Sequence, residues 1–367
     1  MSVRTALIAD STTSLSVASS IRKAHSVLFV TAAVIAGAIV PAQAQSVEQF
    51  YAGKQGKMVV GGSSGGGYDF FARMVGPYIS RHLPGKPTFI PTSMPGAGGI
   101  IAANYLYNVA PKDGTEIGIV GRAVSTQTLL NPKSKAPKYD ATKFNWLGTP
   151  RQETGMLLIH LPSTIKTLED LRKHELVVSG TSPTAPPAFY PRLMNSLFGT
   201  KFKVVTGYKG SQTALLAVER GEVDGHLASS AGAPLRDRID PWIKSGKARI
   251  LAQVGVDKDP RNGDAPLVLD LARNKMERRV MEMVLTQQVM AWPFVAPPGV
   301  PADRVKALRA AFDAAMKDPA FLAAANKQRV DIEPLGGERL NKIIEDIYAS
   351  PKELLDRLSS VTAKPKR

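Results

Sequence analysis

The chain has 367 residues, 44% of them hydrophobic, with 47 Lys and Arg against 31 Asp and Glu and a formal charge of +16. That length and apolar content suit two ordinary domains with real cores, and exclude a disordered chain or a small disulfide-stapled scaffold. The absence of cysteine removes disulfides, thiolate zinc sites, iron–sulfur clusters and cysteine nucleophiles together.

At the N-terminus, Arg22, Lys23 and His25 precede an apolar run over 26–40 that ends in Pro41-Ala42-Gln43-Ala44. Ala42 and Ala44 give the small-x-small pattern of a signal-peptidase site, and a run of about 15 residues falls short of the roughly 20 that a bilayer-spanning helix needs. Residues 1–44 are therefore expected to be a signal peptide removed on export, leaving a soluble exported protein. The richest later stretch, 284–298, carries Gln287 and Gln288 and is broken by Pro293. Removing the leader leaves 44 basic against 30 acidic side chains. They are scattered singly, with no basic run and no aromatic interleaving, which argues against nucleic acid; they read as a solvated surface or as a field that favours anionic ligands.

Strand-like apolar runs at 58–60, 88–91, 117–120, 156–161, 176–179, 202–206, 223–228 and 250–254 alternate with amphipathic segments at 69–82, 97–109, 167–173, 211–220 and 234–245. The alternation predicts an α/β fold with mostly parallel sheets. Ser211 reads as an N-cap, Gly221 as a C-terminal glycine, and Pro301 as the opening of a helix to about Lys317. After a strand-like 293–296, the last 70 residues read as helical stretches separated by Pro319, a turn over 334–337 and Pro351, forming a terminal layer on one domain.

The loop Gly61-Gly62-Ser63-Ser64-Gly65-Gly66-Gly67-Tyr68-Asp69 follows a strand and opens a helix. Glycines there free backbone N–H groups, and the helix start adds its positive dipole end, a ready site for a carboxylate or phosphate. Taken alone, the loop reads equally as a tight turn capped by Asp69. It lacks a P-loop lysine and the GxGxxG spacing of a dinucleotide fold. Gly62-Ser63-Ser64-Gly65-Gly66 also fits GxSxG, which raises a secreted serine hydrolase as the alternative, with His160, His174 and His226 as partners. No HExxH or paired-carboxylate spacing supports a metal, and no cofactor is expected. Further polar loops, at 93–99, 179–184 and 208–211, each join a strand to a helix; in α/β sheets such loops face a common crevice.

In sequence order, Gly65-Gly66-Gly67-Tyr68-Asp69 with Ala72-Arg73, Pro95-Gly96-Ala97-Gly98-Gly99, Ala110-Pro111-Lys112-Asp113-Gly114-Thr115, Tyr208-Lys209-Gly210, Gly221-Glu222-Val223-Asp224 and Pro297-Pro298-Gly299-Val300-Pro301 resemble the substrate-binding receptors of tripartite tricarboxylate transporters, the TctC or Bug family. The resemblance implies a type II-like periplasmic-binding-protein fold, in which two α/β domains are joined by a hinge with the ligand cleft between them. The expected division is 45–150 plus 290–367 for one domain and 151–289 for the other.

It further implies a non-enzymatic, monomeric receptor that captures a small carboxylate and delivers it to integral-membrane transporter subunits. Carried over, the ligand-binding residues are Gly66, Gly67, Tyr68 and Asp69 on one side, with Thr181, Ser182, Thr184, Tyr208, Lys209 and Gly210 on the other. Tyr68 stands where the family usually has a small hydroxyl residue, and a phenol there would narrow the cleft or stack on a ring. Arg122, in the loop that also holds Ser125, is placed either to pair bidentately with a second ligand carboxylate or to form a surface ion pair. Ser229 and Ser230 complete the expected wall.

Overall fold

A computed structural model of the chain describes residues 45–130, 132–180, 185–208, 210–228 and 233–362. The expected leader and the candidate residues Thr181, Ser182, Thr184, Lys209, Ser229 and Ser230 lie outside the described residues. The elements run α1 (Val47–Tyr51), β1 (Gln55–Val60), α2 (Gly67–His82), β2 (Thr88–Ser93), α3 (Ile100–Asn108), β3 (Glu116–Ile119), α4 (Gln127–Leu130) and β4 (Asn145–Thr149). Next come β5 (Gly155–His160), α5 (Asp170–Lys173), β6 (Leu176–Gly180), α6 (Pro186–Phe198), β7 (Phe202–Thr206), α7 (Ser211–Glu219), β8 (Gly225–Ala228), α8 (Ala233–Lys244), β9 (Ala248–Val254) and α9 (Lys275–Val289). The chain closes with β10 (Phe294–Ala296), α10 (Ala302–Ala315), α11 (Pro319–Lys327), β11 (Leu335–Gly336), α12 (Gly337–Tyr348) and α13 (Lys352–Thr362).

The strands form two sheets, ordered β11-β4-β10-β3-β1-β2 and β7-β6-β8-β5-β9. β1 is parallel to β2 and β3, and β6 to β7 and β8. β5 runs antiparallel to β8 and β9, β10 to β3 and β4, and β11 to β4. The sheets are therefore mixed, where the alternation predicted mostly parallel ones. Parallel neighbours need a long crossover, and β5 and β10 have none: the chain passes between sheets through the short segments 150–154 and 290–293, and each strand enters its new sheet straight from the crossing.

Each sheet is covered on both faces. Phe71, Val75 and Ile79 of α2 meet Leu308 and Phe312 of α10 on one face of the first sheet, and Leu106 of α3 meets Leu340 and Ile344 of α12 on the other. In the second, Leu193 and Leu197 of α6 join Val280, Met281 and Val284 of α9, while Leu215 and Ile239 cover the opposite face. The segment 110–115 is a capping device: Lys112 Nζ donates to the carbonyls of Leu106 and Tyr107 at 2.8 and 2.6 Å at the end of α3, and Asp113 accepts from the Thr115 N–H at 2.9 Å as the chain enters β3.

The terminal layer departs from expectation in two ways. Pro319 opens α11 at its first position, where a missing N–H is harmless, and Asp318 caps it by accepting from Ala320 and Phe321. The last helix, α13, does not stay on the first lobe. Its stripe of Leu354, Leu358 and Val361 joins the α6 and α9 cluster of the second. Both faces of the first sheet are already filled, so this stripe finds cover only there.

Candidate functional site

β1, β2 and β3 bring three loops to one end of the first sheet. A Cβ on Gly99 would sit 2.5 Å from Gly121 N, and one on Gly121 only 1.9 Å from Gly98 O, so these turns close backbone against backbone. In the glycine loop, Gly65 N–H donates to Asp69 Oδ2 at 2.9 Å and Arg73 Nε to both Asp69 oxygens at 3.1 and 3.0 Å. Those bonds, the one from Arg73 foremost, hold the Asp69 carboxyl below the usual range. Asp69 therefore locks the loop and is buried, rather than being offered to a ligand. α2 starts at Gly67 without a side-chain cap, so the N–H groups of its first turn have no intrahelical acceptor and carry the positive end of the dipole.

The helix start leans directly on the crossings. The Trp292 indole stacks on Phe71 with centroids 4.4 Å apart and meets the Tyr68 ring edge-on at 5.0 Å. It covers Gly67 so closely that a Cβ there would lie 2.6 Å from the ring. Its Nε1–H donates to Glu153 Oε1 at 3.2 Å, and its backbone N–H to Thr149 Oγ1 at 3.3 Å. Glu153 N–H donates in turn to Gln288 O at 3.0 Å, stitching one crossing to the end of α9 beside the other.

Arg122 sits at the centre of this joint. Its Nη2 pairs with Glu153 Oε2 at 2.9 Å, its Nη1 donates to Gln288 Oε1 at 2.9 Å, and its backbone N–H donates to the Tyr68 hydroxyl at 2.9 Å. Burial alone would lower its pKa, but the Glu153 carboxylate, with the phenols of Tyr68 and Tyr190, outweighs burial and raises it. Arg122 does form an ion pair, but a buried one with Glu153 at the joint between the lobes rather than the surface pair the sequence suggested. Ser125 is likewise turned inward: it is 1% exposed and donates to Arg122 O at 2.9 Å, closing its own turn. Gln287 Nε2 donates to Thr126 Oγ1 at 2.9 Å. Tyr190, from α6 of the second lobe, is buried in the field of Arg122 and Glu153, and burial pushes its hydroxyl up to about 12.

In the second lobe, Tyr208 and Gly210 follow β7. The Tyr208 N–H donates to Gly180 O at 3.4 Å, but its ring packs against the cluster of Ala217, Val218 and Val223, and burial followed by Glu222 raises its pKa. Its side chain thus serves the fold, leaving backbone for a ligand. Gly210, not Ser211, is the N-cap of α7. The structure brings Gly66, Gly67, Tyr68, Asp69, Arg122 and Ser125 together at one sheet end, and Tyr208 and Gly210 at the end of β7.

The serine-hydrolase arrangement is not assembled. Ser63 and Ser64 are exposed, and among the described residues no histidine bonds either: His82 meets Asp318, His160 lies edge-on to Trp242, and His226 Nδ1 is 3.0 Å from Ser179 Oγ. Among the described residues no group of three or more acidic or histidine side chains could hold a metal, and no helix is long and apolar enough to cross a membrane. Away from the joint, a groove of about 740 Å³ lies between the lobes. Arg329 crosses it with two 2.9 Å contacts to Asp237, and Arg261 pairs with Asp331.

Two mixed α/β lobes joined by paired crossings, with helix N-termini at the strand ends, define a periplasmic-binding-protein fold of the type II-like class. The chain belongs to the tripartite tricarboxylate transporter family receptors, whose profile matches residues 72–359. A TctC solute-binding protein from Polaromonas, solved without ligand, aligns with a TM-score of 0.65 and 16% identity over 84% of this chain and 99% of its own. A protein of R. palustris solved with adipate gives 0.56 and 19% over 83% and 97%. MatC from Rhodopseudomonas palustris, with bound malate, gives 0.53 and 20% over 85% and 99%. No curated protein matches the chain.

Sequence reasoning passed over Glu153, Trp292, Gln288 and Tyr190. One signal was present: Gln287 and Gln288 interrupt an apolar run, and a polar pair inside such a run is buried only when bonded.

Proposed function

We propose that the chain is an exported periplasmic receptor that takes one small carboxylate between its lobes, closes on it, and delivers it to the integral-membrane subunits of a tripartite tricarboxylate-type transporter. The observation that carries this reading is the position of the uncapped α2 start: it lies against Trp292 and Arg122, the side chains that tie Glu153 of one crossing to the other. A carboxylate on the N–H groups of Gly67 and Tyr68 therefore sits where the lobes articulate, and closure follows from its differential contact with the closed state.

Residues 45–150 with 290–351, and 151–289 with the docked α13, are the two moving bodies of this scheme, and 1–44 its export signal. Gly66, Gly67 and Tyr68, on the loop that Asp69 locks, form one wall; Tyr208 and Gly210, with Thr181, Ser182, Thr184, Lys209, Ser229 and Ser230, form the other. The receptor acts as a monomer, and no bond is made or broken. The malate and adipate of the R. palustris proteins support a carboxylate ligand.

The test is a thermal-shift screen of the purified protein against mono-, di- and tricarboxylates, aromatic acids and amino acids. Ligand at a hundred times its Kd adds about 2.7 kcal/mol, a shift of several degrees. A carboxylate hit that survives the Ser63→Ala, Ser64→Ala double substitution is the expected outcome. Silence across every carboxylate, with a response to uncharged solutes alone, overturns the reading.

A further inference from the structure

This inference rests on the receptor reading and concerns the charge that holds the ligand. Arg122 is answered from within the chain, by Glu153 at 2.9 Å and by Gln288 at 2.9 Å. Arg151, on the crossing over 150–154, is not. It is 6% exposed, yet among the described residues its side chain has neither an ion pair nor a hydrogen bond, and its Nε is buried without a partner. Taking a guanidinium out of water without a counter-ion is costly, and a neutral side chain of similar length would avoid that cost. A buried charge left open in a ligand-free fold marks a place that something outside the chain completes.

Its position says what completes it. Arg151 lies between Thr149 and Glu153, and both of these hold Trp292: Thr149 Oγ1 accepts from the Trp292 backbone N–H at 3.3 Å, and Glu153 Oε1 from its Nε1–H at 3.2 Å. Thr149 Oγ1 also donates to Arg151 O at 2.9 Å, which pins the Arg151 backbone beside the same residue. The indole in turn covers Gly67, the first residue of α2. The unpaired guanidinium and the uncapped helix start are thus both carried by neighbours of Trp292. The Arg151 Nη groups, unbonded like Nε, are not enclosed with it, so the end of the fork reaches accessible space. A carboxylate has about four lone-pair sites on its two oxygens, enough to accept from a guanidinium fork and from backbone amides together.

We infer that Arg151 is the side chain that pairs with the ligand's carboxylate, supplying the full charge that the α2 amides supply only in part. It is unpaired in the free receptor and paired in the loaded one. Wild type, Arg151→Met and Arg151→Lys are titrated calorimetrically with L-malate, adipate, citrate and benzoate, and each is melted with no ligand present. Whichever acid binds wild type most tightly is expected to bind Arg151→Met at least tenfold more weakly, as when a buried charge pair loses one partner. Arg151→Lys, which keeps the charge and loses the fork, falls between the two. Ligand-free Arg151→Met, which keeps most of the apolar stem, melts no lower than wild type, because no bond within the chain has been removed. A merely structural arginine would give the opposite melt. A smaller loss of affinity, or an Arg151→Met protein that melts lower or does not fold without ligand, overturns the inference and leaves the receptor standing. Silence of wild type to all four acids overturns the carboxylate site itself, and the inference with it.

Discussion

Gly67 shows how a single absent methyl governs the joint. An alanine Cβ would press on an indole already fixed by the Phe71 stack and the Glu153 hydrogen bond, so neither partner can yield without breaking something else. Gly67→Ala is expected to cost about 1–3 kcal/mol, the range for overpacking, read as a lower urea midpoint with unchanged m. His226 is the other residue with a distinct signature. It is fully buried on β8, and desolvation depresses its pKa to about 4. The unfolded chain takes up that proton near 6.5, so the stability due to neutral His226 is complete above about 6.5 and drains as the pH falls toward 4, by about 3 kcal/mol at most. His226→Gln should flatten urea midpoints measured across that window. The Asp318 carboxyl, held down to about 2 first by His82 and then by backbone N–H groups of α11, acts in a separate window: its contribution is lost below about pH 4. The glycines of the site were legible as loops because the strand-to-helix context frames them. The Arg122–Glu153 pair was not, since nothing in local periodicity marks two distant charges that meet only across a joint.

At the scale of elements, most strands were readable from short apolar runs, and α2, α7 and α10 from their apolar stripes, with Gly221 and Pro301 marking one end each of the last two. α6 was not: Pro186, Pro187 and Pro191 read as punctuation. The first two occupy the opening turn, where no N–H is needed, and packing of Leu193 and Leu197 on the second sheet overrides the third. α9 was hidden by its polar composition, because Glu277, Gln287 and Gln288 are buried in bonds to Arg273, Thr126 and Arg122. β4 was missed because Asn145 and Gly148 dilute its apolar signal. α13 is the element whose placement matters most. Leu358 is 1% exposed in the second-lobe cluster, so Leu358→Ala is expected to cost about 2–5 kcal/mol. Differential hydrogen exchange should place the loss in α6 and α9 rather than in α2 and α10. Loss confined to the first lobe would contradict the docking.

For the whole molecule, the lobes meet at a buried joint and at an exposed one. The exposed pairs, Arg329–Asp237 and Arg261–Asp331, are each worth at most about 1 kcal/mol and are screened by salt. They bias the lobe angle without locking it. Because the chain has no cysteine, spin labels can be placed at will: in a Lys244→Cys, Lys317→Cys variant the inter-label distance distribution should broaden between 0.05 and about 1 M NaCl. An unchanged distribution would show that these pairs hold nothing. The docking of α13 bears on synthesis as well as on stability. The lobe built from the middle of the chain keeps an apolar face open until α13 reaches it, so its core cannot be completed before residues 352–362 have been made. Until α13 has been made and has docked, that lobe presents a hydrophobic surface, a state that chaperones recognise.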